Sequence, residues 1–132
     1  MRVLLADDSV LILDRLKTLM GMFADVEIVG AMKNGSDALV ALRDLKPDLA
    51  VVDLRMPGLT GLDVLTAIRQ ENRSLKFIIL TLYSSAFFRE MAIHYGADYF
   101  FSKVDEFEKV GEVVAAMLVE EKQGSLAASG VS

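Results

Sequence analysis

Five short apolar runs punctuate the chain: Val3–Ala6, Val26–Ala31, Leu49–Leu54, Phe77–Leu82 and Tyr99–Ser102. Each is rich in β-branched or aromatic residues, and most lack strict alternation of apolar and polar positions. A strand covered on one face alternates, whereas a parallel strand covered on both faces reads as a continuous apolar run. The five are therefore predicted to be strands of a parallel sheet. Between and after them the apolar positions change to helical spacing: Leu13, Leu16, Met20 and Phe23; Ala38, Leu42 and Leu45; Leu62, Leu65 and Ile68; Phe87, Met91 and Tyr95; Phe107, Val110, Val114 and Met117. Each set has the spacing of the apolar stripe of a helix.

Local signals agree with this alternation. Asn34-Gly35-Ser36 and Ser84-Ser85 can start helices, Asp105 with Glu108 three residues on resembles a capping box, and Lys46-Pro47 stops the second helix. Five strands alternating with five helices over short connections imply right-handed crossovers and a central parallel sheet between helical layers, an α/β fold. Periodicity does not give the strand order. The end of the chain, 124–132, is small and unpatterned and is expected to be a frayed tail, leaving 2–123 as one domain.

Composition narrows the chemistry. The 132 residues suit one domain with its own core, and 53% hydrophobic with 25% charged residues is a globular balance. No apolar stretch approaches the roughly 18 residues of a membrane span, and Asp7-Asp8 come too early for a signal peptide. A cytosolic, non-membrane protein is expected. Without cysteine and with one histidine, His94, there is no thiolate or multi-histidine metal site, so any metal must be a hard cation on oxygen. A formal net charge of −5 argues against direct nucleic-acid binding. His94, late in the fourth helix, reads as a surface residue.

In an open parallel sheet, functional groups collect beyond the carboxyl ends of the strands. Those positions hold Asp7-Asp8, Asp53, Thr81 and Lys103. Taken singly they are weak signals. Asp8 or Ser9 could simply cap the first helix, Thr81 has ordinary strand propensity, and Lys103 could be a solvated strand end. Asp53 is harder to dismiss, because a carboxylate closing the run Ala50-Val51-Val52 is costly without partners. Three carboxylates brought together repel one another unless a cation neutralises them, and Mg²⁺ suits an all-oxygen donor set. The chemistry this suggests is attack of Asp53 on phosphorus to form an acyl phosphate, with Lys103 supplying charge and Thr81 a hydrogen bond to a phosphoryl oxygen.

Four segments together resemble the receiver domains of two-component response regulators: Val3 through Ser9, Val51 through Gly61, Ile79-Leu80-Thr81, and Gly96 through Lys103. The resemblance spans nearly the whole chain. It implies a flavodoxin-like (βα)5 three-layer sandwich with strand order 2-1-3-4-5, Asp53 as phosphoacceptor, and Mg²⁺ held by Asp8, Asp53 and the Arg55 backbone carbonyl with Asp7 assisting. It implies a phosphohistidine donor on a sensor histidine kinase or histidine phosphotransfer protein, and a downstream partner or an output domain as the target. The chain would assist its own phosphorylation and dephosphorylation without being a turnover enzyme. Thr81 would move toward the phosphoryl group as the aromatic at Phe100 turns inward, altering the face of helix four, strand five and helix five, through which a homodimer could also form.

Three departures from the usual receiver pattern stand out. Val104 replaces the proline common after the lysine, which puts a cis peptide there in doubt. Leu82 is larger than the residue usual after the threonine and is expected to narrow access to Asp53, and Phe100 lacks a tyrosine hydroxyl. Arg55 and Tyr83, two residues past Asp53 and Thr81, are expected to flank the phosphoryl group and lengthen its lifetime; they would otherwise be solvated rim residues. Three rivals are an interaction module that never carries phosphate, a flavin-binding electron carrier and an aspartyl-phosphate hydrolase. Asp7-Asp8 would repel a flavin phosphate, and the acids lack the one-residue gap of the hydrolase motif.

Overall fold

The computed structural model describes residues 1–128. Along the chain run β1 (Arg2–Ala6), α1 (Val10–Met20), β2 (Glu27–Met32), α2 (Gly35–Leu45), β3 (Leu49–Val52), α3 (Gly61–Arg69), β4 (Lys76–Thr81), α4 (Ala86–His94), β5 (Tyr99–Ser102) and α5 (Lys109–Ala128). The strands form one parallel sheet of order β2-β1-β3-β4-β5, with Ala6 beside Val52, Val52 beside Ile79 and Thr81 beside Ser102. The flavodoxin-like order implied by the resemblance is the order observed.

The unalternating strands are explained by their two faces. Leu4, Ala6, Ala50, Val52, Phe77 and Ile79 point into a core closed by α2, α3 and α4. Val3, Leu5, Val51, Ile78 and Leu80 point into the opposite core, closed by α1 and α5. Adjacent positions along β1, β3 and β4 are thus both buried. Removing a buried Ile or Leu side chain from either layer should cost about 2–5 kcal/mol.

Caps fix where the helices begin. Ser9, Asn34, Thr60 and Ser85 each accept a backbone N–H in the first turn of α1, α2, α3 and α4, and Thr60 with Asp63 completes a reciprocal capping box. At the other end of α2, Lys46 adopts a left-handed conformation (φ 46°) just before Pro47.

Three expectations change. The stripe Phe87, Met91 and Tyr95 is not the buried face of α4: Phe87 is 64% and Tyr95 43% exposed, whereas Ala92 is buried and Phe88 packs part-buried on the core. Both faces of α4 carry apolar residues, and an aromatic stripe outweighs one alanine in a periodicity reading. The Asp105 and Glu108 capping box does not form, because α5 starts at Lys109 and Glu106 organises the preceding turn instead. The expected tail begins inside α5, whose backbone stays helical to Ala128; the rest of it, 129–132, lies outside the described residues.

Candidate functional site

Strand register determines the site. Asp7 directly follows β1 and Asp53 directly follows β3, and the Asp53 amide donates to the Ala6 carbonyl at 2.9 Å, so the two carboxylates emerge side by side. Thr81 ends β4, and the Lys103 amide donates to its carbonyl at 2.9 Å. Asp7, Asp53, Thr81 and Lys103 are all buried, while Asp8 is exposed at the rim. Ser9, not Asp8, caps α1, which leaves the Asp8 carboxylate free of that duty.

Behind Asp53 the chain approaches closely. A side chain at Gly61 would place its Cβ 2.3 Å from the Asp53 carbonyl oxygen, and the Gly61 amide donates to Leu54 at 2.8 Å. Only glycine allows α3 to start hard against the backbone of Asp53.

The charges are tightly coupled. Lys103 Nζ lies 2.6 Å from Asp7 Oδ2 and 3.0 Å from Asp53 Oδ2. Burial pushes the Asp7 carboxyl above its usual range, against hydrogen bonds from Lys103 and the Ser9 amide, and the neighbouring Asp53 charge adds to the rise. Burial works against the Lys103 ammonium, yet its hydrogen bonds and attraction to Asp7 and Asp53 prevail, so its pKa is raised. One ammonium thus faces two buried carboxylates.

That balance leaves the carboxylates short of positive charge. One carboxylate oxygen from each of Asp7, Asp8 and Asp53 lies within 4.8 Å of the others. Asp53 Oδ1 is buried and accepts no hydrogen bond. An unsatisfied carboxylate oxygen in a water-poor site is costly, and a hard cation with oxygen ligands is the partner its chemistry fits. The donor set therefore suits Mg²⁺.

Around the mouth, the Thr81 hydroxyl accepts the Tyr83 amide at 3.1 Å and keeps its own proton for donation. Leu82 is 63% exposed, and the Arg55 guanidinium lies over the Tyr83 ring. Phe100 is fully inside, 2% exposed, in the core beneath α4. All peptide bonds among the described residues are trans, that between Lys103 and Val104 included. His94 is on the surface, as expected.

Two residues that the sequence pattern does not single out join this region: Arg89 of α4 donates to the Phe100 carbonyl, and Glu106 accepts from both Arg89 and the Ser102 amide. Only the position of Glu106, three residues past Lys103, offers a hint. Nothing in the pattern of α4 marks Arg89.

Residues 3–115 match the family of response regulator receiver domains. The chain belongs to that family. Among related proteins, this receiver is 35% identical over 114 residues to a protein-glutamate methylesterase/protein-glutamine glutaminase of Methanospirillum hungatei, covering 85% of the chain and 33% of the relative. It is 32% identical over 80 residues to the nitrate/nitrite response regulator NarL of Escherichia coli, covering 61% of the chain and 37% of that protein. Among solved structures, the receiver resembles the response regulator domain of Thermotoga maritima CheB, with a TM-score of 0.78 and 27% identity over 91% of this chain and 94% of that one. A LuxR-family DNA-binding response regulator of Staphylococcus aureus gives 0.80 and 28% over 87% and 96%. The receiver spans between 33% and 56% of the length of the first curated relatives it matches. Among the described residues no helix is long and apolar enough to cross a membrane. Receivers of two-component systems are phosphorylated by kinases and control output domains, and the acidic cluster here fits that chemistry.

Proposed function

We propose that this receiver accepts a phosphoryl group on Asp53 from a phosphohistidine carried by a sensor histidine kinase or histidine phosphotransfer protein. The observation that carries the reading is the buried, unpartnered Asp53 Oδ1 inside a three-carboxylate cluster, where Lys103 engages Asp7 Oδ2 and Asp53 Oδ2 and the Ser9 amide donates to Asp7 Oδ1. A carboxylate oxygen of Asp53 attacks phosphorus; the new O–P bond forms as the N–P bond of the donor breaks, and the departing imidazole takes up a proton. A carboxylate nucleophile is already ionised and needs no general base.

Asp7, Asp8, Asp53 and the Arg55 backbone carbonyl would hold Mg²⁺, which when bound neutralises charge on the phosphoryl oxygens. Lys103 adds an ammonium already placed 3.0 Å from Asp53. The Thr81 hydroxyl, whose own proton is free, would donate to a phosphoryl oxygen and so hold the conformer in which Phe100 is inside, as it already is in this structure. The consequence is read on the face of α4, β5 and α5, where Phe87, Tyr95 and Tyr99 are exposed and where a homodimer or a downstream partner would dock.

The functional unit is taken as 2–123, acting on a separate protein or on an output domain, in the cytoplasm and without direct DNA binding. The chain would assist gain and loss of its own phosphoryl group and turn over no other substrate. An interaction module that never carries phosphate gains nothing from an orphaned acid oxygen. Incubation with phosphoramidate or a phosphohistidine protein and Mg²⁺, followed by intact mass, should add one phosphoryl group to the wild type and none to Asp53→Asn. No gain from either donor would refute the reading.

A further inference from the structure

Helix α4 has a thin apolar hold on the molecule: Ala92 is its buried residue, and Phe88 is part-buried. A polar side chain supplements that hold. Arg89 Nη1 donates to the carbonyl of Phe100 at 2.8 Å, and Nη2 meets Glu106 Oε1 at 3.2 Å. The same guanidinium stands over the Phe100 ring, its Cζ 5.0 Å from the centroid.

Glu106 in turn closes the turn after β5. Its Oε1 accepts the Ser102 amide at 3.1 Å, its own amide donates to the Ser102 carbonyl at 3.0 Å, and its Oε2 pairs with Lys109 Nζ at 2.9 Å. Ser102 directly precedes Lys103, whose ammonium pairs with Asp7 and Asp53. Polar contacts therefore run without a break from α4 to the residue before the site's cation.

We propose that Arg89 and Glu106 are positioning residues forming a strut that couples α4 and the inward ring of Phe100 to the turn carrying Lys103. The three Arg89 contacts require one arrangement: α4 docked, the ring inside and Glu106 folded back on Ser102. Turning the ring outward removes the cation–π contact, and shifting α4 removes both hydrogen bonds, which weaken steeply with misalignment. Glu106 keeps Lys109 and the Ser102 amide if Arg89 departs, so the strut can open at Arg89 without stranding a charge. By linkage, a ligand that favours the engaged Lys103 must tighten the strut, and loss of the strut must weaken that ligand by the same factor. The inference extends the phosphoacceptor reading and rests on it for its functional consequence.

The test places 4-fluorophenylalanine at position 100 of the full chain and records ¹⁹F spectra of metal-free protein. Wild type should show one resonance with the small D₂O isotope shift of a buried ring. Arg89→Ala and Glu106→Gln should each bring in a solvent-exposed population, and the double variant should go no further than the larger single effect. A buried resonance unchanged in both single variants would overturn the strut, as would additive effects. Titration with beryllofluoride and Mg²⁺ should then show affinity about two- to fivefold weaker in each variant, the range for a partly exposed cation–π contact and ion pair. Unchanged affinity would overturn the coupling to Lys103. The ¹⁹F readout needs neither metal nor phosphoryl analogue, so it judges the strut even if wild type binds no beryllofluoride, an outcome that would count against the phosphoacceptor reading instead.

Discussion

The guanidinium carbon of Arg55 lies 4.4 Å from the centroid of the Tyr83 ring. One residue comes from the loop after β3 and the other from the loop after β4, so the pair links the two loops that follow Asp53 and Thr81. Each holds the other in place, which two independently solvated rim residues would not do. If, as we propose, this pair shields a phosphorylated Asp53, its loss opens the phosphorus to water.

Arg55→Ala and Tyr83→Ala should therefore each speed dephosphorylation. A partly exposed cation–π contact is worth about 0.5–1 kcal/mol, which corresponds to about two- to fivefold in rate. The double variant should decay no faster than the faster single variant, because removing either residue already frees the other. The phospho-form can be followed by intact mass after removal of the donor. Wild-type decay in both single variants would dispose of the shield.

Leu82, between Thr81 and Tyr83, is 63% exposed. If Leu82 narrows access to Asp53, as expected from its size, it should hinder a small donor that must enter alone and matter less to a protein donor whose own contacts orient the phosphohistidine. Leu82→Ala should raise the initial rate with phosphoramidate several-fold while changing the rate with a phosphotransfer protein less. Equal acceleration with both donors would mean that Leu82 acts on the acceptor and not on access.

The pairing of Lys103 with Asp7 and Asp53 leads to a stability prediction. Replacing Lys103 by methionine leaves two buried carboxylates without their cation, and breaking such a pair from one side costs about 3–5 kcal/mol. Urea unfolding of Lys103→Met without divalent ions should show a loss of that size. Mg²⁺ should recover part of it, since an ion bound only by the folded state stabilises that state. If Mg²⁺ leaves the unfolding midpoint of both wild type and variant unmoved, Asp7, Asp8 and Asp53 do not form a cation site.

The sheet was legible because β1, β3 and β4 are buried on both faces, and burial of that kind leaves runs such as Phe77-Ile78-Ile79-Leu80, which a strand or helix with one face in water would interrupt with polar residues. The site residues were legible for a related reason: Asp7 and Asp53 are the first ionisable groups after such runs, Lys103 is the first after the apolar run of β5, and the crossovers of a parallel sheet bring those ends together. Helix α4 and its Ser85 cap were legible, but which of its faces is buried was not. Its buried face is small, its exposed face is aromatic, and amphipathicity therefore pointed the wrong way. The Arg89 and Glu106 contacts depend on the docking of α4 against the end of β5, a tertiary relationship that no local spacing encodes.

Glu106 also carries a pH signature. The hydrogen bond from Lys109, the Ser102 amide and Arg89 together hold its carboxyl at about 2, below the ordinary 4.5. A carboxyl depressed on folding contributes stability that is complete above the unfolded value and is lost as pH falls through the folded one. The window is thus pH 4.5 down to about 2. Asp7 acts in the opposite sense, because burial raises its carboxyl and its protonation relieves the folded state as pH falls. Whole-protein acid stability therefore mixes the two, and the informative quantity is the difference between wild type and Glu106→Gln, in which the Asp7 contribution cancels. Urea midpoints from about pH 7 to about pH 2.5 should show Glu106→Gln less stable by a constant amount above about pH 5, with the gap closing progressively below pH 4.5. A gap that stays constant from about pH 6 to about pH 3 would mean that the ionised carboxylate is not what Arg89, Lys109 and Ser102 hold.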